Sequence, residues 1–171
     1  MKREADGIRG MIDYGIKRRM DCLIEDEALR KACAVRITRR LKPEILRVFR
    51  FDATRMERYL VSCYDAQTGG YFRPHRDNDG DGHRQFAVTL NLNAEEYEGG
   101  DLRFPEYGLL TYRAPTGGAC VFSCGLMHEA TPVTKGKRYA FLPFLYDEAS
   151  AARREANNEK YPDPKHHYRR G

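Results

Sequence analysis

The segment at positions 71–83 reads YFRPHRDNDGDGH. It gathers imidazoles, carboxylates and glycines behind an aromatic pair, which is the material of a cation site. Calcium is the first candidate, because DNDGDG opens like an EF-hand loop with Asp77, Asp79 and Asp81 at its first, third and fifth positions. That loop needs a bidentate Glu at its twelfth position, which is Val88 here, and it needs flanking helices where this chain shows strand-like patterns. Calcium is excluded. A transition metal fits better: His75 and Asp77 are two apart, and on an extended segment such residues share a face.

A third ligand must come from elsewhere. The chain has five histidines. His166 and His167 lie in a polar tail and His83 in a Gly-rich turn, where exposure is expected. His128 follows the apolar run GGACVFSCGLM, and a closed β-barrel can bring that strand end to His75. Two imidazoles and one carboxylate on one face of an ion form the triad of non-haem Fe(II) oxygenases. Three coordination positions remain, two for a 2-oxoacid and one for dioxygen. Such a cosubstrate needs a cation at its far end. Arg138 opens the otherwise apolar strand RYAFLPFLY, and a buried guanidinium requires a partner such as a carboxylate.

These residues need a scaffold. Apolar residues recur at helical spacing from Ile8 to Leu46, giving two amphipathic helices over about 4–24 and 26–42, the second stopped by Pro43. From residue 47 the texture changes to short aromatic and β-branched runs: RVFRF, RYLVSCY, FAVTLNL, LRFPEYGLLTY, ACVFS and RYAFLPFLY. Gly, Asp, Asn and Pro clusters separate them, as in a sandwich or small barrel. The expected organisation is a helical segment over 1–46 packed on a jelly-roll-like β core over 47–147. A polar tail follows over 148–171, beginning as a short helix.

The chain is 171 residues long and 41% hydrophobic, enough for one domain with a real core. No apolar run reaches the length that spans a bilayer, and no signal-type segment opens it. Five scattered cysteines without a CxxC pair point to a reducing, cytoplasmic setting rather than a disulfide framework or a structural zinc. Net charge is +5, with 16 Lys/Arg against 10 Asp/Glu in residues 1–60 and 8 against 11 in residues 61–147. The basic surplus thus lies outside the motif region. With no stacking aromatics beside it, it reads as a solvated helix face and not as a nucleic-acid surface.

Three stretches carry a family resemblance: CYDAQTGGYFRPHRDNDGDG, LNLNAEEYEGGDLRFPEYG and APTGGACVFSCGLMHEATPVTKGKRYAF. In order and spacing they resemble the 2-oxoglutarate and Fe(II)-dependent dioxygenases of the prolyl 4-hydroxylase-like branch, over roughly residues 55–147. The resemblance implies a double-stranded β-helix (jelly roll, cupin-like). It implies Fe(II) held by His75, Asp77 and His128, and 2-oxoglutarate held by Arg138. Tyr64 matches a Tyr that commonly lines the cosubstrate pocket. Asn91 stands where relatives often carry a second Tyr, and Ala140 where many carry Ser or Thr. The implied reaction consumes O2, converts 2-oxoglutarate to succinate and carbon dioxide, and hydroxylates a substrate C–H bond, with ascorbate a candidate reductant. Halogenating relatives lack the carboxylate, so Asp77 favours hydroxylation. Nucleic-acid demethylating relatives carry a further Arg at a position that is Phe144 here. The expected substrate is a protein or peptide residue, with a free amino acid or small metabolite second. A non-catalytic β-barrel that senses iron or oxygen is the reading from another class, and Arg138 counts against it. Arg73 and Arg76 flank His75 and could meet an acidic substrate group or solvent. Cys124 reads as a small buried apolar residue. Oligomeric state is left open.

Overall fold

The computed structural model describes residues 8–13, 15–78 and 82–160. Its strands are β1 (Ile8–Asp13), β2 (Lys17–Leu23), β3 (Arg55–Glu57), β4 (Leu60–Asp65), β5 (Tyr71–His75), β6 (Phe86–Asn91), β7 (Tyr97–Gly99), β8 (Leu102–Arg103), β9 (Thr111–Tyr112), β10 (Ala119–Ser123), β11 (His128–Ala130), β12 (Val133–Phe141) and β13 (Phe144–Tyr146). Helices α1 (Glu27–Arg40) and α2 (Lys42–Phe49) follow β2, and α3 (Glu148–Lys160) closes the described chain.

One path of hydrogen-bonded neighbours runs β3-β13-β6-β12-β4-β2-β5-β11-β8-β9, with β10 beside β6, β7 beside β12 and β1 beside β2. The path folds back on itself. Ala87 on β6, Phe122 on β10 and Phe144 on β13 pack against Leu102 on β8, from the other end of the path. Tyr64 on β4 and Val133 on β12 likewise meet Ala130 on β11. Two layers thus enclose a shared interior, the double-stranded β-helix that the sequence implied.

Strand alternation decides what faces that interior. Along β6, Phe86 and Val88 join Ile37 of α1 and Ile45 of α2 in a cluster on the outer side, while Ala87 points inward. Asp26 caps α1 by accepting from the Leu29 amide at 2.6 Å. The helix expected over 26–42 is α1, which ends at Arg40, just before Pro43. That proline sits in the first turn of α2, where its missing N–H leaves no bond unmade. RVFRF, expected as a strand, instead ends α2 with its first three residues, and Arg50 caps the helix.

The first helix expected from the sequence, over 4–24, is overturned. Positions 8–13 and 17–23 form an antiparallel pair, Ile8 opposite Cys22 through Asp13 opposite Lys17. The helical spacing of the apolar residues there is coincidental. Two sheet edges need a partner, and β2 supplies it to both: Met20–Leu23 pair with Cys63–Leu60 of β4, and Lys17–Arg18 with Phe72–Tyr71 of β5. Backbone pairing outweighs a weak periodic signal. The segment before residue 46 is therefore not purely helical, and β2 belongs to the sheet.

The tail is helical over α3, begun by Asp147, whose carboxylate accepts from the Ser150 amide at 2.8 Å. The polar stretch after residue 160 lies outside the described residues. Arg154 of α3 reaches into the protein, donating to the Tyr146 hydroxyl at 2.7 Å and pairing with Glu57 at 3.3 Å. Glu57 also receives Arg84 Nε at 2.7 Å and lies 3.1 Å from His83 Nε2. His83, expected to be exposed, is 1% exposed, because its ring serves this buried carboxylate. Burial alone would raise the Glu57 pKa. The bonds from His83 and Arg84 outweigh it and hold the carboxyl at about 2, against an ordinary 4.5.

A depressed pKa means that ionised Glu57 stabilises the fold fully above pH 4.5, and that this contribution is lost as pH falls toward 2. The difference corresponds to roughly 3 kcal/mol. Glu57→Gln is expected to lower stability by that order at neutral pH and to flatten the acid limb of the pH–stability curve. Denaturant titration at a series of pH values checks both.

Candidate active site

His75 is the last residue of β5 and His128 the first of β11, and the antiparallel register sets them directly opposite each other. Their ring centroids lie 4.3 Å apart. Asp77 is delivered differently from the expectation of one continuous strand. β5 ends at His75, and the chain bends so that the Asp77 amide donates to the Cys124 carbonyl at 3.0 Å. The bend turns the carboxylate back toward both rings, with Oδ2 3.2 Å from His128 Nε2 and Oδ1 3.6 Å from His75 Nε2.

Each imidazole is fixed from behind. His75 Nδ1 lies 2.8 Å from the Arg73 carbonyl, and His128 Nδ1 lies 3.0 Å from the Leu126 carbonyl. A carbonyl only accepts, so Nδ1 carries the proton and Nε2 presents its lone pair forward. Phe72 stacks on His75 with centroids 3.5 Å apart, and Phe122 meets His128 edge-on at 4.6 Å. One donor atom from each of His75, Asp77 and His128 falls within a mutual 4.8 Å, the one such group among the described residues. Burial raises the Asp77 pKa, but the adjoining Nε2 atoms of His128 and His75, which donate to the carboxylate whenever a ring is protonated, outweigh it and push it well below the usual carboxylate range. Ionised carboxylate plus two neutral Nε2 lone pairs fits a divalent transition metal.

Arg138 borders the same cavity. It is 4% exposed and lies opposite Tyr64 in the β12–β4 ladder, its guanidinium 5.1 Å from that ring. Its NH2 donates to Thr89 Oγ1 at 2.9 Å, while its Nε has no hydrogen-bond partner. Among the described residues no carboxylate lies within salt-bridge distance of Arg138. A buried cation with an unused donor fits a ligand carboxylate such as that of 2-oxoglutarate. Gly100, at φ +66°, lets the backbone pass close to this side chain; a Cβ there would stand 3.2 Å from Arg138 Cδ and 2.6 Å from Val133 Cγ2. Tyr64 is 2% exposed and faces the cavity, where its hydroxyl accepts from Arg19 NH1 at 2.7 Å. Asn91 is buried too, but it donates to the Ala114 carbonyl at 2.6 Å and is not brought into the cavity wall, which β6 lines up to Thr89.

The model for the 2OG-Fe(II) oxygenase superfamily matches residues 59–146. The chain belongs to the 2OG-Fe(II) oxygenase superfamily. Two curated relatives are a PKHD-type hydroxylase of Synechococcus sp. (strain JA-2-3B'a(2-13)), 35% identical over 94 residues, and rat procollagen-lysine,2-oxoglutarate 5-dioxygenase 1, 32% identical over 114 residues. These alignments cover 50% and 64% of this chain but 41% and 14% of the relatives, so the chain spans less than half the length of either. Among solved structures, a prolyl-4-hydroxylase of Pseudomonas putida superposes with a TM-score of 0.62 at 22% identity, covering 80% of this chain and 76% of that one. A viral collagen prolyl hydroxylase of Paramecium Bursaria Chlorella virus-1 gives 0.61 at 18%, covering 78% and 81%. Both show the oxygenase fold.

Two of the cavity residues that sequence reasoning missed are cations. Arg19 looked like part of a solvated KRR run, and Arg58, the first residue of RYLVSCY, carried no signal of its own; a two-residue alternation across β2 was the available signal for Arg19. Arg76, weighed as a substrate contact, is tied to Glu106 at 2.6 Å and to the Gly125 carbonyl. Arg73 is exposed. Cys124 is fully buried, and burial pushes its thiol up. It therefore stays a protonated packing residue.

Removing one ligand leaves two donors of the triad. Asp77→Ala or His128→Ala is expected to weaken Co(II) or Mn(II) binding about a hundredfold or more. Metal titration followed by calorimetry or by the Co(II) absorption spectrum provides the check.

Proposed function

We propose that this chain is an Fe(II)- and 2-oxoglutarate-dependent dioxygenase that hydroxylates a C–H bond in a protein or peptide residue. Bound iron would supply the coupling of dioxygen reduction to oxidative decarboxylation of the 2-oxoacid and to C–H hydroxylation. Atoms balance: one oxygen enters the new succinate carboxylate, the other becomes the hydroxyl, and carbon dioxide leaves. His75, Asp77 and His128 hold the metal through Nε2, a carboxylate oxygen and Nε2. Arg138 and Thr89 receive the far carboxylate of 2-oxoglutarate, and Tyr64 forms the wall beside it. Phe72 and Phe122 shield the two rings and keep water from the open side of the triad.

The observation that carries this reading is Arg138, a buried guanidinium with no carboxylate of its own, in the same cavity as the triad. A module that only sensed iron would have no use for it. The names of the relatives, a PKHD-type hydroxylase and a procollagen-lysine dioxygenase, support hydroxylation of a protein residue. All five cysteines are free thiols, in keeping with a reducing compartment, and no helix among the described residues is long and apolar enough to cross a membrane.

Anaerobic addition of Fe(II) and 2-oxoglutarate should produce the visible charge-transfer band of a metal-chelated 2-oxoacid, which oxygen should bleach as succinate appears. Ascorbate should sustain repeated turnover. Arg138→Ala is expected to weaken 2-oxoglutarate binding about thirtyfold or more, since it removes one half of a buried ion pair. Asp77→Ala should abolish the band. Wild-type succinate release by either variant would overturn the assignment.

A further inference from the structure

Three guanidiniums line the metal cavity, those of Arg19, Arg58 and Arg138. Arg138 is accounted for by the cosubstrate. Arg19 is bound on both sides, its Nε 2.9 Å from Asp21 Oδ1 and its NH1 2.7 Å from the Tyr64 hydroxyl. Asp21 is in turn occupied by Arg19 and by Ser62 Oγ at 2.5 Å. That leaves Arg58. It makes no hydrogen bond among the described residues, and its nearest carboxylate, Asp21, is 3.9 Å away. Its guanidinium lies 5.4 Å from the Phe144 ring, a contact that attracts the cation but uses none of its N–H donors. The side chain keeps 26% of its surface open.

Arg58 is also held at φ +64°, a left-handed conformation that a bulky side chain adopts at a cost. Burial first, and then the neighbouring Arg19, push its pKa down to about 10, so it stays charged at neutral pH. A strained, half-buried cation with unused donors and a like charge beside it is a liability for folding alone.

Its position separates it from the cosubstrate grip. Arg138 faces Tyr64, near the end of β4, whereas Arg58 stands two residues before Leu60, where β4 begins. Six residue steps separate those backbone positions, of roughly 3.3 Å each along the strand. The charges also leave a surplus. Fe(II), Asp77 and a 2-oxoglutarate dianion sum to −1, which Arg138 cancels; Asp21 cancels Arg19; Glu129, on the wall, is taken by Arg103 at 2.5 Å. Arg58 alone is left over.

We propose that Arg58 is a substrate-binding residue that receives a carboxylate, so that the molecule hydroxylated carries an acidic group close to its reacting carbon. The inference rests on the oxygenase reading above. The carboxylate could belong to an Asp or Glu side chain in a peptide or to a free amino acid, and the probes separate the two.

The protein loaded with Fe(II) and 2-oxoglutarate is given peptides containing Asp or Glu beside the same peptides with Asn or Gln, and free aspartate and glutamate beside asparagine and glutamine. Probe-stimulated succinate and added oxygen by mass are the readouts. Acids should stimulate at least about tenfold more than amides. Stimulation by peptides alone places the carboxylate within a chain, and stimulation by free acids alone makes the substrate a small molecule. Equal stimulation by acid and amide, or none from either panel, overturns the proposal. Arg58→Gln should raise KM for the acidic probe about thirtyfold, with partial recovery in Arg58→Lys. A second readout needs no turnover and no variant: the Nε–H resonance of Arg58 should shift on adding N-acetyl-aspartate and stay put with N-acetyl-asparagine. A shift in protein that forms no charge-transfer band would sink the oxygenase reading alone. A normal band beside a silent resonance would sink the carboxylate site alone.

Discussion

The register between β5 and β11 is the constraint on which the site depends. His75 and His128 are ladder partners, so their separation is set by backbone hydrogen bonds and not by side-chain reach. A slip of one residue would put Glu129 opposite His75 and turn His128 to the other face. The irregularity between His128 and Ala130 confines the strict register to the metal end of the strand. Further contacts hold the same end. Arg76 bridges Glu106 and the Gly125 carbonyl, and Glu106 also accepts from the Met127 amide at 3.3 Å. The loop carrying Asp77 and the turn before His128 are thereby fastened to one acidic residue. The triad is prepared by the backbone before any ion arrives.

Around that triad the interior tolerates an unusual density of charge because nearly every group has an assigned partner. Buried ions are costly when alone and acceptable in matched sets. Glu57 is matched by His83, Arg84 and Arg154, and so fastens β3, the approach to β6 and α3 to one another. Asp21 is matched by Arg19 and Ser62 across β2 and β4. Asp77 is matched by two imidazoles. Arg138 Nε, which has no hydrogen-bond partner, and the Arg58 guanidinium both open on the cavity.

The site was legible in the sequence to the extent that it is local or lies at a strand end. His75 and Asp77 are two apart, His128 follows an apolar strand, and Arg138 is the one charge in RYAFLPFLY. Each carries its own signal. What stayed hidden is what only pairing decides. Positions 17–23 hold apolar residues at helical intervals, yet two open sheet edges claim them as β2. Once they form a strand, Arg19 turns inward, and a charge that looked solvated lines the cavity. His83 was misjudged for the same kind of reason: a Gly-rich turn suggests exposure, but a buried Glu57 needs the ring. Pro43 separates α1 from the next helix, and the sequence did not show that α2 begins at once with this proline in its first turn.

The boundary between scaffold and site therefore does not fall at residue 46. The family match begins at residue 59, and the candidate metal ligands and Arg138 all lie within it. The segment before it supplies the strand that joins the two layers, the Arg19 that holds the Tyr64 hydroxyl, and the Asp21 nearest to Arg58. β2 does this with one stretch of chain because it changes partners at Arg19: Lys17 and Arg18 pair with β5, and the residues from Met20 onward pair with β4. The residue at that crossover belongs to neither ladder, which frees its side chain to cross the interior between Phe72 and Tyr64. The triad of His75, Asp77 and His128 and the buried Arg138 are thus built by the part of the chain that the family match covers. The rest of the cavity wall is built in part by the segment that precedes it.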